Sequence, residues 1–278
     1  MTEVCPINNL EKILLTTDGS EFSSGAVKEA LAMSGKCSSQ MVAIDVVEAN
    51  EEYASEAPQL VAKAEAEAAE ALASVKTAAD AAGIDCVTEV HTGDSPYQII
   101  VDEAKKNSSE LIIMGRRGRT GFAKVAMGSV TAKVIGHAPC DVLVVPRDGA
   151  DDYKKILVAT DGSPHGEAAA AEAIKMAKKT DGSLIALSVA SSDAKKNEAE
   201  QAVLKVSQMA EAAGIACETL ISTGKNYVEI VEKAKEKNAS LIVVGCHGRT
   251  GLGRMLMGSV TERVIGHAHC AVLVTLVS

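Results

Sequence analysis

The chain repeats itself, and no other feature limits its possible folds as strongly. Lys12-Ile13-Leu14-Leu15-Thr16-Thr17-Asp18-Gly19-Ser20 returns as Lys155-Ile156-Leu157-Val158-Ala159-Thr160-Asp161-Gly162-Ser163. The run from Met127 to Cys140 returns from Met257 to Cys270, differing only at Glu262, Arg263 and His269. Matching blocks in the same order mean a duplication, so any fold must be built from one unit used twice. At 278 residues, two units of common domain size are accommodated. The spacing predicts units over 1–148 and 152–278, joined through the polar stretch Arg147-Asp148-Gly149-Ala150-Asp151-Asp152. So short a joint favours two packed domains over two tethered ones. The first copy carries extra residues around Glu48 to Pro58, which belong in a loop or at a helix start; a solvated acidic loop is the simpler reading there, a lid the sharper one.

Within each copy, short apolar runs alternate with longer stretches of helical period, the pattern of β-α-β units and a parallel sheet. Strands are expected near 12–17, 41–47, 84–90, 110–115 and 141–146, with counterparts near 154–159, 183–190, 215–221, 240–245 and 271–276. Ala26, Val27, Ala30, Leu31 and Met33 share one face of a helix expected to stop at Gly35. An Ala-rich helix over 59–82 is expected to end at Gly83, and its counterpart at Gly214. The result is an α/β chain with doubly wound sheets, whose ligands bind beyond the carboxyl ends of the strands at a switch point. With two Phe, four Tyr and no Trp, the cores must be aliphatic, and a bound base would rest on aliphatic side chains.

The chemistry concentrates after strand four. Leu111-Ile112-Ile113-Met114 runs into Gly115-Arg116-Arg117-Gly118, and nine residues later Gly128-Ser129 opens a helix. The second copy repeats this spacing as Gly245-Cys246-His247-Gly248 and Gly258-Ser259. Glycines let an anion approach backbone N–H groups without a Cβ in the way, and a helix N-terminus adds unpaired donors and the positive end of its dipole. Ser129 and Ser259 would cap that helix or bond a phosphate oxygen, and Arg116, Arg117 and Arg119 would add charge in copy one. A P-loop is absent, and so is G-x-G-x2-G after strand one. Asp18 and Asp161 close the first strand of each copy, where a carboxylate can accept from ribose hydroxyls or shape a turn, with Ser20 or Ser163 left to cap the next helix.

These motifs, G-x2-G-x9-G-S in both copies together with Thr-Asp-Gly-Ser, resemble the universal stress protein family in its ATP-binding branch, and the likeness covers nearly the whole chain. The resemblance implies two tandem Rossmann-like domains, similar to adenine nucleotide alpha hydrolases, each a five-stranded parallel sheet of order 3-2-1-4-5 with helices on both faces. It implies ATP, or AMP or ADP, with Mg2+. In copy one the implied contacts are Thr17, Asp18, Val46, Met114, Gly115, Arg117, Gly118, Gly128, Ser129, Val130 and Thr131. In copy two they are Thr160, Asp161, Val189, Gly245, His247, Gly248, Gly258, Ser259, Val260 and Thr261. Val46 and Val189 would lie against the base, although without the resemblance they read as ordinary strand core. The loops differ in charge, Arg116-Arg117 against Cys246-His247, so unequal affinity is expected. The resemblance also implies pairing of the two copies through strand five, Val142-Leu143-Val144-Val145 facing Val272-Leu273-Val274, with a homodimer of such chains beyond that.

A net charge of −9 argues against sequence-independent nucleic-acid or anionic-membrane binding. The start does not read as a secretory signal, and no apolar run reaches membrane-span length. Seven cysteines without a C-x2-C pair suit a reducing cytoplasm. His137-Ala138-Pro139-Cys140 and His267-Ala268-His269-Cys270 hold metal-ligand residue types but read as helix ends beside a buried thiol, and Cys246 reads at most as a redox-sensitive thiol. No catalytic or metal residue is assigned. The leading expectation is a cytoplasmic nucleotide-dependent sensor or regulator of the stress response. The alternatives are a slow Mg-dependent ATPase or phosphotransferase, with no clear base in sight, and a ligand-free interaction scaffold.

Overall fold

The computed structural model describes residues 4–118, 127–149, 152–248 and 257–277. Arg119, Ala150 and Asp151, which figured in the expected loop and linker, lie outside them. The first copy contains β1 (Lys12–Thr16), α1 (Ser24–Cys37), β2 (Gln40–Glu48), α2 (Glu51–Glu56), α3 (Pro58–Ala81), β3 (Cys86–Gly93), α4 (Pro96–Lys106), β4 (Leu111–Gly115), α5 (Ser129–His137) and β5 (Asp141–Val145). The second contains β6 (Lys155–Ala159), α6 (Pro164–Lys179), β7 (Ser183–Ala190), α7 (Lys196–Ala212), β8 (Cys217–Thr223), α8 (Asn226–Glu236), β9 (Leu241–Gly245), α9 (Ser259–His267) and β10 (Ala271–Thr275).

All ten strands form one sheet in the order β3-β2-β1-β4-β5-β10-β9-β6-β7-β8. Each copy is parallel and of order 3-2-1-4-5, and the copies meet antiparallel at strand five, with Val272 opposite Val144, Leu273 opposite Leu143 and Val274 opposite Val142. Strand alternation sends the side chains to two aliphatic layers. One layer packs Leu143 and Leu273 with Ala30 of α1, Leu72 of α3, Ala173 of α6 and Val206 of α7. The other packs Val142 and Val272 with Ala104 of α4, Ile135 of α5, Ala234 of α8 and Ile265 of α9. Both layers run through both copies, so burial that stabilises one copy also joins it to the other. Tyr153 adds a buried tie, its hydroxyl donating to Glu29 Oε1 of α1.

Local chemistry sets the element ends. Gly83 and Gly214 take φ of 69° and 75° just past α3 and α7, as a glycine after a helix should. The expectation for α1 is corrected: Gly35 lies inside the helix, and Ser38, at φ 56°, is the left-handed cap, its N–H donating to the Ser34 carbonyl. The insertion is a short helix whose N-cap, Asn50, accepts from Tyr53 N at 2.7 Å, and none of α2 is buried. The cysteine reading is also corrected. Cys5 and Cys37 are joined by a disulfide that pins the N-terminal segment to the end of α1; such bonds persist in oxidising surroundings. Among the described residues no helix is long and apolar enough to cross a membrane.

The seam carries a titratable group. Asp141 opens β5 and accepts from Leu276 N at 2.9 Å, past the end of β10, while burial pushes its carboxyl from 3.8 up to about 6. Between those values the folded chain holds a proton that the unfolded chain releases, so stability falls as pH rises through that window and stays lowered above it. Asn keeps an oxygen for Leu276 and removes the charge. Asp141→Asn should therefore stabilise the protein at neutral pH by up to about 3 kcal/mol, and the gain should vanish below about pH 4, as denaturant melts at the two pH values would show.

Candidate functional site

The carboxyl ends of β1 and β4 in copy one, and of β6 and β9 in copy two, flank the point where each sheet reverses direction of growth, the crevice where doubly wound sheets hold ligands. At the end of β1, Thr17 is buried; its N–H donates to the Ile44 carbonyl and its hydroxyl accepts from Gly19 N at 3.2 Å. Asp18 divides its work between two oxygens. Oδ1 accepts from Ser20 N at 3.1 Å, Ser20 Oγ at 2.7 Å and Ser23 Oγ at 2.9 Å, which builds the turn. Oδ2 faces the strand-four loop, where a Cβ on Gly118 would stand 2.7 Å away. Copy two repeats this: Asp161 Oδ1 accepts from Ser163 N at 3.0 Å, Thr160 Oγ1 from Gly162 N at 3.1 Å, and a Cβ on Gly248 would stand 2.8 Å from Asp161 Oδ2. The turn and ligand readings of the aspartate are thus compatible on separate oxygens. The capping expectation holds for Ser163, which accepts from Gly166 N, but not for Ser20, whose hydroxyl donates to Asp18.

Across the crevice, Gly128 N donates to the Arg116 carbonyl at 2.9 Å and Thr131 Oγ1 to the Gly115 carbonyl at 3.1 Å, closing the strand-four loop onto α5. The bonds from Gly258 N to Cys246 O at 2.9 Å and from Thr261 Oγ1 to Gly245 O at 2.9 Å do the same for α9. Glycine, not serine, is the N-cap in both helices, and neither receives a side-chain cap. Ser129 and Ser259 are exposed first-turn residues, so their capping role is corrected, and among the described residues no side chain caps either helix. Val130 and Val260 are half-buried beside them, Met114 is buried, and Val46 and Val189 are half-buried at the ends of β2 and β7.

In copy two this arrangement encloses a cavity of about 470 Å3. Its lining includes every residue expected there: Thr160, Asp161, Val189, Gly245, His247, Gly248, Gly258, Ser259, Val260 and Thr261. Sequence reading missed Ser188, Ser191, Lys195, Glu198 and Asn226, which also line it. Their placement at the carboxyl ends of β7 and β8 and the starts of α7 and α8 was the available signal, by the same switch-point rule.

The loop charges are corrected as well. Arg116 leaves its own crevice and crosses the seam, where Nη1 donates to the carbonyls of Ala268 at 3.0 Å, Gly266 at 3.2 Å and Ile265 at 3.5 Å at the end of α9. A cation there meets the negative end of the helix dipole. Cys246, its counterpart, is buried and reaches the Ile135 carbonyl of α5 at 3.9 Å. Burial pushes its thiol up to about 11, the opposite of a reactive thiolate, so the redox reading falls. The loops differ next at Arg117 against His247, of which His247 lines the copy-two cavity. Arg117 stands over the Phe22 ring, 5.9 Å from its centroid, and His247 meets His165 edge to face at 5.2 Å.

His137 Nδ1 donates to the Lys133 carbonyl at 2.7 Å and His267 Nδ1 to the Arg263 carbonyl at 2.8 Å, with the rings packed on Tyr97 and Tyr227. Burial pushes Cys140 up to about 12. These are helix-end contacts, and among the described residues they gather no metal-ligand set. Glu89, His91 and Glu103 do come together between β3 and α4, but Lys106 Nζ already lies 3.0 Å from both Glu103 oxygens.

Fold and crevice together define a tandem Rossmann-like protein with a glycine-framed strand-four loop in each half. The sequence model of the universal stress protein family matches residues 9–146 and again 152–275, and the chain belongs to that family. It is 42% identical over 144 residues to a universal stress protein of Methanocaldococcus jannaschii, covering 46% of this chain and 85% of that one. It is 31% identical over 220 residues to one of Mycobacterium tuberculosis, covering 72% of this chain and 73% of that one. A crystal structure of a universal stress protein from Archaeoglobus fulgidus superposes with a TM-score of 0.77 at 26% identity, covering 96% of this chain and 98% of that one.

Proposed function

We propose that the protein binds ATP, or its di- and monophosphate relatives, in both copies and acts as a nucleotide-dependent sensor or regulator in the stress response. The carrying observation is a cavity that gathers all the expected copy-two residues against a helix N-terminus with no side-chain cap. Its volume falls in the range that encloses a small ligand, roughly 300–1,000 Å3. Asp161 Oδ2 suits a ribose hydroxyl, Val189 an apolar ring, and Gly248, Gly258 and the first turn of α9 the phosphates. The bare glycine facing each aspartate leaves room that a side chain would fill. Mg2+ would be held chiefly by the phosphates and water, adding charge neutralisation. Binding stabilises the bound form by mass action, so shape or partner choice follows nucleotide level; the reading suits the ATP-rich cytoplasm, a reducing compartment in which Cys5 and Cys37 would stand as two thiols.

Asp161→Asn preserves the acceptor for Ser163 N and removes the charge facing Gly248. It should weaken ATP binding in copy two by roughly tenfold or more, a hydrogen bond to a charged group contributing about 1.5–3 kcal/mol, with thermal stability little changed. Calorimetric titration with a phosphate-release assay checks this. Steady turnover would assign the protein to the enzymes instead, and no uptake of ATP by the native chain would leave a ligand-free scaffold.

A further inference from the structure

We propose that the copy-two crevice is a proton-sensitive phosphate site set by the His165–His247 pair, whereas copy one carries a fixed charge on Arg117; this rests on the nucleotide reading above. Both copies build the same contact, from the residue four places after the aspartate to the residue two places after the strand-four glycine. In copy one these are Phe22 and Arg117, and in copy two His165 and His247. The fold thus conserves a ring under the loop, and the chemistry of the pair is exchanged whole: an aromatic ring with a permanent cation becomes two imidazoles.

His247 lines the cavity, and His165 sits in the first turn of α6, its backbone and Cβ 2.8 Å from where a Cβ on Gly245 would lie. His165 Nδ1 is buried and has no hydrogen-bond partner among the described residues. Among the described residues, the charged groups that line the cavity with His247 are Asp161 at the end of β6 and Lys195 and Glu198 at the start of α7, and α6, which carries His165, has Glu167 in its first turn. Lys195 pairs with Glu198, and Glu167 with Lys205 of α7. The loop beyond Gly248 lies outside the described residues. Burial and the neighbouring His165 hold His247 below its ordinary 6.5, so His247 carries little charge at neutral pH without ligand.

A phosphate beside the pair favours the imidazolium, so binding takes up a proton and strengthens as pH falls. Two facing imidazoles repel once one is charged, which limits the uptake to about one proton and the gain to about tenfold per pH unit. Arg117 stays charged throughout. The terminal phosphate's own titration, near pH 6, acts on both sites and cancels in their affinity ratio.

The test is ATP titration of the full chain by calorimetry between about pH 5.5 and 8, with the histidine ring signals followed by NMR. Between the ligand-free and ATP-bound midpoints of His247 the copy-two to copy-one affinity ratio should rise about threefold or more per unit fall in pH, and the His247 midpoint should rise by about a unit or more on saturation, with His91, His137, His267 and His269 unmoved. His165→Phe with His247→Arg should abolish the slope, and Phe22→His with Arg117→His should confer it on copy one. His165→Phe alone should raise the His247 midpoint in the empty protein, which a merely structural role would not do. A constant ratio with unmoved midpoints while ATP binds overturns the inference alone. Absence of ATP binding at every pH overturns the nucleotide reading and this inference with it. Should the copy-two variants fail to fold, the native signals and the copy-one exchange decide.

Discussion

Leu273→Asp should cost about 4 kcal/mol or more and separate the melting of the two copies. Leu273 is 1% exposed and lies opposite Leu143, itself 1% exposed, at the antiparallel join between β10 and β5. Removing the leucine forfeits about 2–3 kcal/mol of burial, and a carboxylate left there without a partner must stay protonated or draw water into the layer shared by α1 and α6. The seam is hit hardest because neighbouring residues belong to both copies, so neither can relax alone. Denaturant unfolding followed by two probes should change from one transition to two. Leu273→Val should cost only about 1 kcal/mol. Val87→Asp, on exposed β3, should change stability by less than about 0.5 kcal/mol. A single transition of unchanged midpoint for Leu273→Asp would show that the ten-stranded sheet is not what holds the copies together.

The features that could be read from sequence are those whose signal is local. The strands were legible because Val- and Ile-rich runs must be buried, and the ends of α3 and α7 because glycine accepts positive φ without penalty. α1 misled because the same rule was applied to Gly35, whereas the chain runs on to Cys37 and turns at Ser38. Glycine within a helix is tolerated, and a serine in the left-handed region leaves no compositional mark. The Cys5–Cys37 bond was invisible for a related reason: a pair separated by 32 residues is made by the path of α1, not by spacing.

At the site, spacing located the glycines and aspartates but not the direction of the side chains between them. Arg116 and Arg117 are adjacent, yet one crosses the seam to α9 and the other stands over Phe22 of its own copy. Only the position of the other copy separates their roles. The His165–His247 pair was within reach of sequence comparison, since aligning the two Thr-Asp-Gly-Ser runs sets Phe22 against His165 in the same register that sets Arg117 against His247. What was missing was the knowledge that those two registers touch.

Gly245→Val tests how tightly that contact ties the site to the fold, and it should cost roughly 2–3 kcal/mol by overpacking. Gly245 ends β9, fully buried and paired with Thr275 of β10, and a Cβ there would stand 2.8 Å from the carbonyl carbon, oxygen and Cβ of His165. Two of those atoms are backbone, so the first turn of α6 must retreat rather than a side chain rotate. His165 rides on that turn, and Thr261 Oγ1 bonds the Gly245 carbonyl, so both walls of the crevice shift together. The equivalent Cβ on Gly115 would meet Phe22 O at 3.1 Å and Arg117 O at 3.2 Å, a milder conflict. Gly115→Ala should therefore destabilise less than Gly245→Ala. ATP binding in copy two should be lost in Gly245→Val while copy one keeps its affinity, because the displaced turn belongs to α6 alone. If the two alanine variants were equally stable, or if Gly245→Val weakened both sites alike, the close approach of β9 to α6 would not be what shapes the second crevice.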